Sequence, residues 1–274
     1  MSETQDETQN PEDQGAEIPE TTPPGDQLPP QKRTTHPLVV LLELVLLLVL
    51  GAVVWVKFTG QGQLTWEKAV AWWKTSAEQQ AGAALRERGV LVISETPDQR
   101  ITSINFLGLD VDEAALGELA ALFRVQSLDL TNTNISDEQL RRLGGLSKVS
   151  SLVLGGTPVT NAGMQHIESL AGIKALHLPS TKVSDEGLLH LGRITSLAVL
   201  DLSDTEVTDA GLKHLLPLRR LAWLLLENNE ITDAGLKHLE SIKSLNRVTL
   251  IGTKASPEGV DRLKRAIPGV AVDQ

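Results

Sequence analysis

Four histidines recur at one position of a regular spacing, and they are the first residues here that suggest chemistry. They are His166, His190, His214 and His238, each 24 residues after the one before. Imidazole is a common zinc ligand, but a zinc site needs donors that converge on one point. Residues that recur once per strand of a sheet lie along a line, about 4.8 Å or more apart. The spacing therefore favours a repeated surface residue, and we expect no bound metal or cofactor.

Other residue patterns that carry out catalysis are missing from the sequence. The chain has no cysteine, which excludes thiolate nucleophiles, disulfides and cysteine-based zinc sites. It has no glycine-rich phosphate loop, and no serine stands at a recognisable spacing from a histidine and an acid. We therefore predict that the protein is not an enzyme. With 35 acidic against 25 basic residues and a net charge of -10, nucleic acid is also not expected as a partner.

The elements that position the histidines come from a 24-residue pattern, present in seven copies without insertion from Ile101 to Pro268. Two apolar columns two residues apart indicate one face of a short strand, and two columns three residues apart indicate one face of a helix. The first strand column is Ile104, Leu128, Leu152, Leu176, Leu200, Leu224 and Val248, and the first helix column is Leu116, Leu140, Met164, Leu188, Leu212, Leu236 and Val260. Each copy is thus strand, turn, helix and return. No copy can bury its apolar faces alone, so the copies must stack into a curved α/β solenoid.

Two polar columns complete the pattern. After the strand, a buried hydroxyl is expected to bond to the turn backbone, at Thr133, Thr157, Thr181, Thr205 and Thr253. Helix N-caps are predicted at Ser136, Thr160, Ser184, Thr208, Thr232 and Ser256. The next residue is acidic at Asp137, Asp185, Asp209 and Asp233, which favours the positive end of the helix dipole. Pro257 takes that position in the last copy, as proline can in a first helical turn.

The consensus of the copies is Leu-x-x-Leu-x-Leu-x-x-Thr-x-Val-Thr-Asp-x-Gly-Leu-x-x-Leu. It resembles the leucine-rich repeat family, in particular the ribonuclease-inhibitor-like and F-box-associated branch. That branch often has cysteine or asparagine after the strand, where this chain has threonine and only Asn229 keeps the amide. The resemblance implies a solenoid that binds a protein or peptide partner.

Three segments are predicted before the repeat domain, which spans 101–274. Residues 1–36 contain six prolines, no aromatic residue and eight acids against Lys32 and Arg33, a local net charge of -6. Such a segment cannot offset its chain entropy by burial, so we expect disorder, with an interaction tail as the alternative. Residues 59–100 are expected to form a juxtamembrane helix, Leu64 to Gly89, and the N-terminal cap of the solenoid.

Residues 37–58 are predicted to form a transmembrane helix. The run 38–56 contains eight leucines, seven valines and a single charge, Glu43, and 19 residues can cross a hydrocarbon core of about 30 Å. Fifteen leucines and valines favour insertion by about 6 kcal/mol, whereas one acid opposes it by at most about 3 kcal/mol. A cleaved signal peptide is the alternative, but no small-x-small cleavage site follows the run.

We therefore expect a single-pass bacterial cell-membrane protein that contacts the lipid bilayer through residues 38–56. Basic residues flank both ends of the run, so their count does not decide the orientation. The closeness of Lys32 and Arg33 to the run favours an extracytoplasmic repeat domain.

The candidate binding site is a group of residues on the concave face of the solenoid. Side chains alternate along a strand, so residues on either side of each buried leucine line this face. Its later rows are Val199, Asp201 and Ser203, then Trp223, Leu225 and Glu227, then Arg247, Thr249 and Ile251. A tryptophan flanked by charges is typical of an interface centre, although it could also lie flat on its neighbours without a function. The predicted partner-binding residues are Val199, Asp201, Trp223, Leu225, Glu227 and Arg247.

Two functions are compatible with these patterns. The first is a membrane-anchored module that presents the concave face to a protein or peptide. The second is a structural or envelope-assembly component that acts by self-association of the solenoid, with the acidic tail as a connector. Self-association of the repeats would favour the second. A protein-turnover adaptor, as among the F-box relatives, is less favoured because no F-box-like helical segment precedes the repeats.

Overall fold

The fold begins with a helix that covers one end of a sheet. The structure is a computed structural model and describes residues 66–95, 100–170 and 172–274. The predicted tail, the predicted transmembrane helix and the predicted turn at 97 and 98 lie outside these residues. No helix among the described residues is both long enough and apolar enough to span a bilayer.

A nine-stranded sheet runs through the described residues, in the order β1 to β9. The strands are β1 (Leu91–Glu95), β2 (Arg100–Asn105), β3 (Ser127–Asp129), β4 (Ser151–Val153), β5 (Ala175–His177), β6 (Val199–Asp201), β7 (Trp223–Leu225), β8 (Arg247–Thr249) and β9 (Ala271–Asp273). Strand β1 is antiparallel to β2, and every later pair is parallel. From β2 to β8 each residue pairs with the residue 24 positions later, for example Leu200 with Leu224.

One helical segment follows each strand from β2 to β8, and α1 precedes the sheet. The helices are α1 (Trp66–Glu87), α2 (Glu113–Ala120), α3 (Asp137–Leu140), α4 (Asn161–Ile167), α5 (Asp185–Leu191), α6 (Asp209–Leu212), α7 (Asp233–Leu239) and α8 (Pro257–Ala266). Helices α3 and α6 continue as 3-10 turns, Arg141–Gly145 and Lys213–Leu215. The predicted alternation of strand, turn, helix and return is therefore confirmed.

The apolar columns form one continuous core between the sheet and the helices. Every residue of the two strand columns and the two helix columns is buried, from Ile104 in the first copy to Leu263 in the last. Each copy covers the faces of its neighbours, as the sequence requires of repeats that cannot bury their apolar faces alone.

Helix α1 and strand β9 close the two ends of this core. On α1, Ala81 and Leu85 are buried against this core. One turn earlier lies the buried carboxylate of Glu78, which accepts the backbone N–H of Ile101 at 3.2 Å. Glu78 thus satisfies a backbone donor at the edge where no earlier copy is present. At the other end of the core, β9 covers the edge of the sheet by pairing with β8.

A second set of bonds joins neighbouring copies through the residue after each helix N-cap. The cap positions are as predicted, and all except Ser184 accept a helix N–H with their side chain. In α6, Asp209 also reaches the next copy, where it accepts the Thr232 backbone N–H at 2.8 Å and the Thr232 hydroxyl at 2.6 Å. The same two bonds join Asp137 to Thr160, Asp185 to Thr208 and Asp233 to Ser256. We call these four acids the aspartate ladder.

The ladder explains two departures from the consensus. Asn161 takes the ladder position in α4, accepts the Ser184 N–H at 2.8 Å and donates its amide to the Ser184 hydroxyl at 2.7 Å. Ser184 is the cap whose side chain makes no bond to its own helix. Pro257 occupies the ladder position in α8, the last helix of the described residues, and its side chain has no atom that could accept a hydrogen bond from another copy.

The ladder also accounts for the glycine column. A Cβ on Gly235 would lie 2.3 Å from the Asp209 carboxylate oxygen, closer than real Cβ contacts allow. The same contact, at 2.2 to 2.7 Å, faces the other glycines of the column, which are Gly163, Gly187, Gly211 and Gly259. In the first two copies, where the column holds Ala115 and Gln139, the residue facing Gln139 is Glu113 rather than an aspartate. Glycine and aspartate therefore occur as a pair, one copy apart.

The turns after the strands have a common backbone conformation. The threonine hydroxyls donate to the carbonyl three residues earlier at 2.6 to 2.8 Å, as predicted. Asn229 instead accepts the Thr205 N–H at 3.1 Å and donates to the Leu202 carbonyl at 2.7 Å, and so links two copies. The residue before this column has a positive φ of 54° to 74° in every copy, at Gly108, Asn132, Gly156, Ser180, Asp204, Asn228 and Gly252.

Truncation of a central core residue tests the register of the repeats. Leu202 is fully buried, so Leu202→Ala should lower the free energy of unfolding by about 2 to 5 kcal/mol in urea titrations followed by circular dichroism. Leu189, on α5, is 47% exposed, and Leu189→Ala is the matched control, with an expected change below about 1 kcal/mol. Equal effects of the two changes would contradict the register.

A double-mutant cycle tests the pairing of aspartate and glycine. Gly235→Ala should destabilise the protein by about 1 to 3 kcal/mol, because the new Cβ displaces Asp209 from Thr232. In the Asp209→Ala background the same change should be neutral or stabilising by up to about 1 kcal/mol, because alanine is the better helix former. Asp185→Ala is the control background, where the cost of Gly235→Ala should persist. A cost that is the same in all three backgrounds would disprove the pairing.

Candidate partner-binding face

The predicted binding residues lie together on the side of the sheet that the helices leave uncovered, which we call the open face. Strand pairing places Val199, Trp223 and Arg247 in one row across β6, β7 and β8. The same pairing places Asp201 and Leu225 in the next row. Glu227 follows β7, where its carbonyl accepts the Asp204 N–H at 2.8 Å. The six residues thus occupy neighbouring positions on a backbone fixed by the sheet.

The apolar part of this group centres on Trp223. Its side chain is 50% exposed, and Ile251, two rows away in the next copy, is 49% exposed. Val199 lies beside Trp223 on the neighbouring strand β6, and Leu225 lies two residues after Trp223 on β7. Both residues are half-buried. At the positions equivalent to Trp223, the earlier copies carry Ser127, Ser151 and Ala175. Exposed large apolar residues also lie at the other end of the sheet, at Leu91 and Ile93 on β1 and at Leu107, which is the equivalent of Ile251 in the first copy. Within strands β3 to β8, Trp223 is the exposed large apolar residue.

The polar part begins with Asp201, whose carboxylate is held in a network. It accepts the Ser203 backbone N–H at 3.0 Å and the Ser203 hydroxyl at 2.8 Å, and His177 Nδ1 lies 3.6 Å away. Burial by itself raises the pKa of Asp201, but the hydrogen bonds from His177 and Ser203 outweigh it, and the pKa lies below its ordinary value. Asp201 is therefore a fixed negative charge beside the apolar group.

The two remaining charged residues of the group, Arg247 and Glu227, differ in whether an ion pair holds the side chain. Arg247 donates Nε to Asp273 on β9 at 2.8 Å and forms an ion pair with the same carboxylate. Its guanidinium is therefore held toward the end of the sheet. Glu227 is half-buried, and no described basic residue forms a salt bridge with its carboxylate.

Two residues of the predicted rows are not surface residues. Ser203 and Thr249 are each 7% exposed. Ser203 is satisfied by Asp201, whereas the Thr249 hydroxyl has no hydrogen-bond partner among the described residues. Alternation along the strand could not distinguish these positions from the exposed ones.

The histidine column lies on the helix side of the repeats, and each of its members is half-buried. Glu168 contacts His190, with 3.3 Å between the carboxylate and Nδ1, and the same carboxylate pairs with Arg193 at 3.3 Å. Within the described ranges, no group of three or more histidines and acids is arranged to hold a metal ion. Among the described residues the column thus supplies a contact with Glu168 at His190 and no converging donors.

Comparisons with known proteins address the fold. A family model described as a leucine-rich repeat matches residues 193–216. No curated protein matches the chain by sequence. An internalin (inlF) from Listeria monocytogenes is similar in structure, with a TM-score of 0.53 and 15% identity over 66% of this chain and 51% of the internalin. The chain thus spans about half the length of that internalin.

Two further solved structures are similar over parts of the chain. Internalin C2 of Listeria monocytogenes has a TM-score of 0.47 and 18% identity over 72% of this chain and 90% of its own. A leucine-rich repeat protein of Leptospira interrogans has a TM-score of 0.45 and 20% identity over 57% of this chain and 45% of its own. The family model thus identifies residues 193–216 as a leucine-rich repeat, and the chain shares the repeat fold of inlF.

Proposed function

We propose that this protein is a membrane-anchored binding module that holds a protein or peptide partner on the open face at β6 to β8. Leucine-rich repeat proteins are typically protein-interaction modules. The observation that carries the proposal is the half-exposed Trp223, in a row with Val199 and Arg247 on a face that the fold leaves uncovered. Tryptophan and arginine are enriched among the residues that dominate binding energy at interfaces.

The scaffold beneath this group supports a role in recognition. Backbone hydrogen bonds join each of the three strands to its neighbours on both sides, and the strand leucines below are fully buried. Binding to such a face orders little of the backbone, so less of the contact energy is lost to conformational entropy.

The charges indicate the chemistry of the partner. Asp201 and Glu227 stand on either side of Leu225, and Arg247 is already paired with Asp273. Among the described residues Glu227 has no basic partner, so the unpaired charge near Trp223 is negative. The face suits a segment with an apolar side chain that covers Trp223 and a lysine or arginine next to it.

We also propose that residues 38–56 anchor the chain in the cell membrane, with the repeats outside the cytoplasm. The length and apolar composition of the segment support the anchor, and Lys32 and Arg33 beside it support the orientation.

Truncation of Trp223 tests the binding face. Trp223→Ala in the full chain should weaken capture of its partner from a membrane extract by about thirtyfold, the equivalent of about 2 kcal/mol. Ser127→Ala, at the equivalent position of the second copy, is the control and should be nearly neutral. The thermal unfolding midpoint of both variants should stay unchanged, since these side chains lie outside the core. Capture that persists while the Trp223→Ala protein loses stability would make Trp223 a packing residue.

Reporter fusions test the orientation. A reporter enzyme that is active only outside the cytoplasm should work when fused after Gln274 and fail when fused within the first 30 residues. The opposite pattern would place the repeats in the cytoplasm, and activity of neither or both fusions would contradict a single-pass anchor.

A further inference from the structure

A basic cleft lies at the amino ends of the strands in the first copies. It encloses about 410 Å³ and is lined by four basic residues, Arg100, Arg124, Lys148 and Lys174. Hydroxyl and amide groups fill the spaces between them, from residues such as Gln126 and Ser150, and no carboxylate of the described residues contributes to the lining. A cluster of this kind is unexpected in a chain with a net charge of -10.

Three of the basic residues that line the cleft, Arg124, Lys148 and Lys174, differ from others nearby in having no acidic partner among the described residues. On the same copies, Arg142 pairs with Glu113 at 2.7 Å and Arg141 pairs with Glu138. In contrast, Arg124, Lys148 and Lys174 form no salt bridge with any described residue. Like charges that converge without a counter-ion repel each other, so the cleft stabilises an anion that enters it.

The backbone that carries the cleft is fixed. The N–H of Gln126 donates to the Thr102 carbonyl at 2.8 Å, the N–H of Ser150 to the Gln126 carbonyl at 2.8 Å, and the N–H of Lys174 to the Ser150 carbonyl at 2.8 Å. These bonds extend the sheet by one residue before each strand. The charged groups therefore project from a rigid row whose spacing is set by the strands.

The cleft is not a consequence of the repeat. The columns that build the core keep their apolar character in all copies, whereas the column of Lys174 changes to alanine at Ala198 and Ala222. The column of Arg124 and Lys148 changes to Gly172, Ser196 and Ser244, with Arg220 as a further basic member outside the cleft. The core and the ladder therefore do not require a basic residue at these positions.

We propose that this cleft is a binding site for a multiply charged phosphorylated ligand, distinct from the open face around Trp223. A guanidinium and two ammonium groups match the several oxygens of a phosphate or diphosphate, and the hydroxyl and amide groups supply further donors. The volume fits a compact ligand of this class. A soluble phosphorylated molecule and the phosphate of a lipid headgroup share this chemistry.

Titration of the full chain with inorganic pyrophosphate tests the site. The chain is held in nanodiscs of phosphatidylcholine, and binding is measured by microscale thermophoresis at low salt. The variant R124Q/K148Q/K174Q should bind at least about thirtyfold more weakly than the natural chain. The matched control K213Q/R219Q/K237Q removes the same charge from exposed positions elsewhere and should stay within about threefold. Circular dichroism confirms that both variants unfold at the same temperature as the natural chain.

Several results would overturn the proposal. These are absence of binding at millimolar pyrophosphate, equal weakening in the two triple variants, or binding that appears only after deletion of residues 1–36. The last result would mean that the acidic N-terminal segment of the chain, rather than a phosphorylated ligand, occupies the cleft. Nanodiscs that also contain phosphatidylglycerol distinguish the two sources of phosphate. Competition by the added lipid would identify headgroups as the ligand, and an unchanged affinity would identify a soluble phosphorylated molecule.

Discussion

The structure depends on one constraint, which is that a 24-residue copy buries its apolar faces only against another copy. Each copy contributes four residues of the strand and helix columns to the core, and burial of one such side chain is worth about 1.5 to 3 kcal/mol. The net gain from a hydrogen bond is about 0.5 to 1.5 kcal/mol. Stacking is therefore driven by the apolar columns, and the polar columns decide how the copies are aligned as they stack.

The aspartate ladder shows how alignment is achieved. A leucine face tolerates some sliding, whereas a carboxylate that accepts both the N–H and the hydroxyl of the next cap fits in one position only. That fit requires a residue without a side chain opposite the carboxylate, which is why glycine stands there. The ladder, the caps and the glycines thus form a single device. It begins where Asp137 first meets Gly163 and ends at Pro257, whose side chain has no hydrogen-bond acceptor.

The sequence predicts the periodic part of this fold because each periodic residue has the same surroundings in every copy. The strand and helix columns, the caps and the threonine bonds could all be predicted in this way. The link between Asp209 and Thr232 could not, because it joins residues 23 positions apart that each already have a local explanation. The column of residues with a positive φ could not be predicted from the sequence either, since Gly156, Ser180 and Asn228 share a backbone conformation but no residue type. Glu78 was missed because the end of a repeat array has no earlier copy from which to infer its contacts.

The binding surfaces follow the opposite rule, since they lie where the columns vary. Trp223 stands in a position that holds serine, alanine or valine in earlier copies, and Lys174 stands in one that holds alanine or asparagine in later copies. Substitution at these positions leaves the core and the ladder intact, so the scaffold permits residues there that serve recognition. The open face could be found from the sequence because strand alternation places its residues. The basic cleft could not, because its two columns precede the strands and come together only at the turn. The same separation lets one rigid sheet carry an apolar, acidic face at its later strands and a cationic cleft at its earlier ones, each free to change without disturbing the other.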